Sequence, residues 1–305
     1  MANAPETNSL FPISTVSALT GVNAITLRAW ERRYGLIKPT RTESGHRLYT
    51  RLDIEHIKTI LQLLDEGISI SRVSSALNQT TNDNTATTDI DNPWQRYASS
   101  LHQAVTTFDE ELLEETYNEA MSMYPADLVT RYLLMPLLNT LGERWVKESA
   151  GIAEEHFFSI FMRNKLGARF HHRNLHNTGP RLVAACLPGE QHEFGLLFFA
   201  LSAHNRGYRI VLLGSNMPLL QLPDVVRRTQ SHAIVLSGST EAVNANIDED
   251  LQMLQQQCKV PICIGGSYAV AQQTNLQSLG LYPLGTDLGA GLDALQQLLS
   301  HAMAS

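Results

Sequence analysis

Apolar residues change their period along this chain, and the changes divide it into segments. From Phe11 to Leu77 they recur at helical spacing. The same spacing returns from Trp94 to His176, in "WQRYASSLHQAVTTF", "DEELLEETYNEAMSMY", "PADLVTRYLLMPLLNTLGERWVKE" and "AEEHFFSIFMRNKLGARFHHRNL". Four helices joined by short turns predict a bundle, with Asp109 and Pro125 at helix starts and a kink at Pro136. After about residue 180 the period shortens. "RLVAACL", "YRIVLL", "HAIVLS", "VPICIG" and "LYPLG" are brief apolar runs separated by amphipathic stretches, which predicts a parallel sheet covered by helices over 180–303. Between the first two segments, Asn78 to Pro93 holds only Ala86 and Ile90 as apolar residues and reads as a linker. The expected domains are thus 11–77, 94–176 and 180–303, joined by the linker 78–93.

Composition narrows the class. A chain of 305 residues with 43% hydrophobic content can bury several cores without staples. Cys186, Cys258 and Cys263 show no metal-binding or disulfide spacing and are expected to be buried thiols in a reducing compartment. The start "MANAPETNSLFP" has neither a charged nor an apolar signal region, and no run of eighteen apolar residues occurs, so a cytoplasmic protein off the membrane is expected. The net charge of -7 is uneven. Val22 to Arg51 carries seven Lys or Arg against two Asp or Glu, a basic island suited to a local polyanion contact.

That island coincides with a motif. "STVSALTGVNAITLRAWERR" predicts helix, turn and helix, with Val16, Leu19 and Val22 inward and Gly21 in the turn. Thr26, Arg28, Arg32 and Arg33 are expected on an outward face suited to the major groove. In "SGHRLY", Gly45 permits a turn that lets His46 and Arg47 reach phosphate or minor groove, with Tyr49 beside them. The combination "TLRAWERRYGL", "KP", "RT" and "GHRLY" resembles the winged helix-turn-helix of MerR-family transcriptional regulators. The resemblance implies a head that reads a double-stranded DNA operator, with Arg28, Arg47 and Tyr49 at typical DNA-facing positions. Such regulators commonly dimerise through a long helix after the wing. Here the polar linker follows, so assembly is expected from the carboxyl-terminal part.

A second set of motifs lies downstream. "PGEQHEFG" follows the first apolar run of the sheet, at the edge where ligands of such sheets bind. Its histidine is a metal ligand, a base or a loop residue on this evidence alone. Glu190, His192 and Gly195 form ExHxxG; Ser237 in "LSGS" and the pair Gly265 and Gly266 in "ICIGG" follow at spacings that resemble the cobalamin-binding fold of corrinoid proteins. Trp145, nine residues, then Glu155 and His156 match the Wx9EH motif of light-sensing cobalamin-dependent repressors of the CarH and LitR type. In an unbroken helix the eleven residues from Trp145 to His156 turn through about 1100° and share a face; a break near Gly151 would set them across a hairpin.

The resemblance now spans the chain in the family's domain order. It implies a multidomain α and α/β protein: winged helix-turn-helix, four-helix bundle and Rossmann-like parallel α/β cobalamin-binding domain. It further implies adenosylcobalamin as cofactor, with His192 as the lower cobalt ligand supported by Glu190, and Gly195, Ser237, Gly265 and Gly266 making room for the nucleotide tail. Trp145 would cover the upper face, with Glu155 and His156 at the adenosyl group. A tetramer or dimer would repress in darkness, and light would release it. Three positions depart from the family. Glu190 replaces aspartate, Ser239 stands where a larger residue is usual, and Val146 replaces the histidine that captures cobalt after photolysis. Valine has no lone pair for cobalt, which favours a second reading, a regulator responsive to cobalamin level or to a partner without photochemistry. A corrinoid carrier enzyme would share the cofactor domain but has no use for an operator-reading head. His171, His172 and His176 in "HHRNLH" have metal-compatible spacing, yet they read as the basic tail of a helix.

Overall fold

The structure, a computed structural model, describes residues 9–79, 92–144, 147–171, 177–239 and 246–302. It divides into two compact units, residues 1–164 and 165–305.

The first unit begins with β1 (Phe11–Pro12), α1 (Ile13–Thr20) and α2 (Ala24–Ala29), the last continued by a π-turn over Trp30–Tyr34. Gly21 closes α1 with φ 73°, the left-handed conformation that the tight turn needs. Asn23 caps α2, accepting from the Thr26 amide at 2.9 Å. The wing is formed by β2 (Thr40–Arg41) and β3 (Arg47–Tyr49), with β1 paired to the other side of β3. A reciprocal Thr50 and Asp53 capping box starts α3 (Arg51–Asp65), and α4 (Ile70–Gln79) follows. Val16 and Val22 are buried as expected, but Leu19 is 56% exposed, a correction to its inward placement. The interior stripe of α1 is narrower than its apolar content suggests.

Helices α5 (Pro93–Thr106), α6 (Glu110–Met123), α7 (Ala126–Val129), α8 (Met135–Arg144) and α9 (Gly151–His171) follow, the last running across the division. Asp109 caps α6 through the Leu112 amide, and Pro125 precedes α7. The irregularity expected at Pro136 appears as a π-turn over Thr130–Leu134 joining α7 to α8. Proline supplies no amide to the helical ladder and crowds the preceding turn, so the bonds are re-spaced there.

Head and bundle are packed on one another. The buried Trp30 indole Nε1 donates to the carbonyl of Met123, the last residue of α6, at 2.9 Å. Arg33 and Tyr34 contact the Met123 sulfur, and Tyr132 and Arg131 bond Asp65 at the end of α3. Tyr124, bonded to the Ile70 backbone, packs on Trp94 with the ring planes tilted by 50°; its hydroxyl is pushed up to about 12, chiefly by burial.

The second unit holds one five-stranded parallel sheet: β4 (Arg181–Cys186), β5 (Arg209–Gly214), β6 (Ala233–Ser237), β7 (Ile262–Gly265) and β8 (Tyr282–Gly285), in the order β5-β4-β6-β7-β8. All five apolar runs became strands. Alternate residues serve opposite faces. Its helices are α10 (Phe194–Asn205), α11 (Leu222–Thr229), α12 (Ile247–Gln257), α13 (Ser267–Ala271), α14 (Gln273–Ser278) and α15 (Leu288–Ala302). Val183, Ile234, Leu236 and Ile264 pack with helices α11 and α12, whereas Leu182, Val235 and Cys263 pack with α10 and α15. The chain leaves β4 toward β5 on one side and reaches β6 on the other. The carboxyl end of β4 is therefore the topological switch point, where ligands of open α/β sheets bind. The three cysteines are buried free thiols, and among the described residues no helix is long and apolar enough to cross a membrane.

Trp30→Phe keeps a six-membered aromatic ring but removes the five-membered ring that carries the donor, leaving a cavity and the Met123 carbonyl buried without its partner. Urea unfolding of the full chain should show a loss of at least about 1–3 kcal/mol in the first unit.

Candidate functional site

Strand register assembles the carboxyl edge of the sheet. Cys186 pairs with Ser237, Ser237 with Gly265 and Gly265 with Gly285, so the ends of four strands lie in one row. The loop from β4 to α10 starts at this row and carries Glu190 and His192. Glu190 is 1% exposed, yet it is charged. Its Oε1 accepts from the His192 amide and lies 2.7 Å from His192 Nδ1, while its Oε2 accepts from the Ser239 amide at 2.6 Å. Burial works to raise its pKa, but the hydrogen bonds from His192 and Ser239 outweigh it and hold the carboxyl at about 2. The His192 side chain, by contrast, is 59% exposed. A buried anion thus fixes the tautomer and direction of an imidazole that reaches outward.

Neighbouring loops support this arrangement. Asn216, with φ 50°, accepts from the Gly189 amide through Oδ1 and donates its own amide to the Glu190 carbonyl. The turn Gly214–Ser215–Asn216 thereby braces the histidine loop. Gly195 opens α10, and a Cβ there would sit 3.6 Å from Ser237 Oγ. At Gly266, φ 93°, a Cβ would meet the Gly238 carbonyl oxygen at 2.3 Å, so only glycine lets the β6 and β7 loops touch. Ser239 Oγ is buried without a hydrogen-bond partner among the described residues. Glu190, His192, Gly195, Ser237, Gly265 and Gly266 are therefore brought to one edge.

In the first unit, α8 ends at Arg144 and α9 begins at Gly151, so of the two geometries open for Wx9EH the broken helix is found. Trp145 and Val146 lie outside the described residues, as do His172 and His176. Glu155 accepts from Ser159 Oγ at 2.6 Å, and the side chain of His156 is 67% exposed beside it.

The basic head is partly as expected. Arg28, Arg32, Arg33 and His46 are exposed. Arg47 is bonded to Glu31 at 2.5 Å, and Arg41 reaches the same carboxylate at 2.8 Å. Burial would raise the pKa of Glu31, but its bonds to Arg47 and Arg41 prevail and lower it. Thr26 and Tyr49 require correction. Both are fully buried. Thr26 shares the interior side of α2 with Leu27 and Trp30, and Tyr49 faces inward from β3 where it pairs with Phe11. Neither presents a side chain to solvent in this structure. Sequence reasoning missed Glu31 and Asn216. The first was signalled by a lone acid among Arg28, Arg32 and Arg33, the second by an Asn following glycine and serine at a strand end.

Lowering of the Glu190 pKa makes a stabilising contribution that is complete above the ordinary value of 4.5 and is lost as pH falls toward about 2. Denaturant unfolding at stepped pH should show the parent losing more stability over that interval than Glu190→Gln.

Residues 11–80 match the MerR HTH family regulatory proteins, and residues 97–169 match the B12 binding domain family. The HTH-type transcriptional repressor CarH of Myxococcus xanthus is 30% identical over 283 residues, covering 89% of this chain and 94% of CarH. The repressor CarA of the same organism is 27% identical, covering 88% of this chain and 90% of CarA. Among solved structures, the monomethylamine corrinoid protein of Methanosarcina barkeri superposes with TM-score 0.54 at 16% identity, over 66% of this chain and 98% of that one, a likeness of fold. Continuous identity to CarH through head, bundle and sheet shows that this chain belongs to the CarH-type family of MerR regulators, which join a DNA-binding head to a cobalamin-binding region.

Proposed function

We propose that this regulator is an adenosylcobalamin-dependent repressor, acting in the cytoplasm as a homo-oligomer, tetramer or dimer, that light releases from its operator. The observation that carries the reading is the buried Glu190 carboxylate gripping Nδ1 of the exposed His192 at the switch point of the sheet. A carboxylate on one ring nitrogen raises the basicity of the other and orients it, as second-sphere partners of metal-binding histidines do. Nε2 of His192 would then hold cobalt from below. The side-chain-free positions Gly195 and Gly265 near Ser237, together with the unpartnered Ser239 hydroxyl, suit a buried polar nucleotide tail. Gly266 keeps the two strand-end loops closed behind it. Trp145, Glu155 and His156 would contact the adenosyl group. When bound, adenosylcobalamin supplies a weak cobalt–carbon bond that light can break. Arg28, Arg32, Arg33 and His46 would contact the operator, joined by Arg47 once phosphate replaces Glu31 as its partner.

Val146 favours a second reading, in which cobalamin binding governs assembly without photochemistry, since that side chain cannot coordinate cobalt. One experiment separates the two. Full-length protein is mixed with adenosylcobalamin in darkness, and its absorption spectrum, size and DNA binding are recorded before and after green light. Uptake followed by light-driven change in size and DNA release is the expected result. Uptake with no response to light selects the second reading, and no uptake removes both. His192→Ala should abolish the spectrum of the histidine-ligated form.

For the head, Arg28→Ala and Arg47→Ala should each weaken binding to DNA selected by the parent and lower the slope of log affinity against log salt by about one. Binding titrations at several salt concentrations check it.

A further inference from the structure

We propose that the ion pair between Arg144 and Glu154 is a positioning element that sets Glu155 and His156 for recognition of the upper cobalamin ligand, an inference that rests on the cobalamin reading above. Arg144 is the last residue of α8, and Glu154 lies in the first turn of α9. They meet in a two-pronged contact, Nε to Oε2 at 2.7 Å and Nη2 to Oε1 at 3.1 Å. Glu154 is 4% exposed. Its pKa is lowered, first by the Arg144 bond and then by the Arg144 charge, with His102 on α5 adding least, against the effect of burial. The backbone reinforces the same joint, because the Arg144 carbonyl accepts from the Lys147 and Glu148 amides and the Ala150 carbonyl from the Glu154 amide.

Glu154 fixes more than the distance between two helices. Successive helical residues point about 100° apart, so anchoring one side chain in the interior sets the rotation of the helix about its axis. With Glu154 held inward, Glu155 is placed at the margin, where Ser159 steadies it, and His156 is turned outward. A planar guanidinium is suited to this task, since its two parallel bonds define an orientation as well as a separation. Neither Arg144 nor Glu154 needs to touch a ligand. Their effect passes through the two residues that follow Glu154.

A general loss of packing would weaken every corrinoid alike, whereas a misaligned Glu155 and His156 should weaken forms with a large upper ligand selectively. The test therefore titrates full-length protein in darkness with adenosylcobalamin and with cyanocobalamin, whose upper ligand is small, and follows both by absorption. Arg144→Glu and Glu154→Arg should each lower affinity for adenosylcobalamin roughly tenfold relative to cyanocobalamin, the scale of losing an outer-sphere support. The double exchange should restore most of the ratio. Arg144→Lys, which keeps the charge and loses the fork, should shift the ratio in the same direction by less, and it serves if the single reversals do not fold. A ratio unchanged in all variants, or equal losses for both corrinoids with a lower melting temperature, overturns the inference while leaving the cobalamin reading intact. A parent protein that takes up neither corrinoid overturns both.

Discussion

A carboxylate that is almost wholly buried must be surrounded by donors, because an unpaired charge in a protein interior costs far more than the fold can spare. Glu190 meets that demand with the His192 amide, the His192 ring and the Ser239 amide. The three donors come from two loops, after β4 and after β6. Neither loop can shift without stripping a partner from the anion, so the imidazole and the serine-glycine corner are held as one construction. Asn216 extends the restraint to a third loop, after β5. The switch point of the sheet determines where a ligand can lie; the buried charge determines that one chemical group there has a defined direction.

The first unit solves a related problem with different groups. Two of its inter-element contacts, the Trp30 indole on the Met123 carbonyl and the Arg144 fork on Glu154, also place a buried acceptor opposite a planar donor. Planar donors restrict angle as well as distance. Trp94 packs against Tyr124, the residue after Met123, and against Tyr132.

The parts of this architecture legible in the sequence were those governed by local rules. Five short apolar runs became five parallel strands, Asp109 became a cap, Pro136 was met by a π-turn, and the turn at Gly21 has the left-handed conformation. The edge cluster of Glu190, His192, Ser237 and Gly265 was legible because strand ends align once the sheet is recognised. What escaped depended on partners distant in sequence. Thr26 and Tyr49 were read as outward because helical and strand periods do not say how wide the buried stripe will be. Trp30 and Met123 are separated by 93 residues, and no pattern around either one names the other. Arg47 reads from sequence as a DNA contact, and its pairing with Glu31 is not visible there because that carboxylate sits on a different element.

The clamp between Trp30 and Met123 bears on the thermodynamics of DNA association. A head swinging on a polar tether would surrender its orientational freedom at the moment of binding, and every complex would be weakened by that ordering. Here the contact with α6 removes much of that freedom during folding. The polar segment between α4 and α5 then closes a loop rather than sets a reach, and loop-closure entropy varies only slowly with length. In an oligomer of the proposed kind, the distance between heads would accordingly be set by how the bundles meet, and the spacing of DNA half-sites would follow from the bundle surface rather than from the linker.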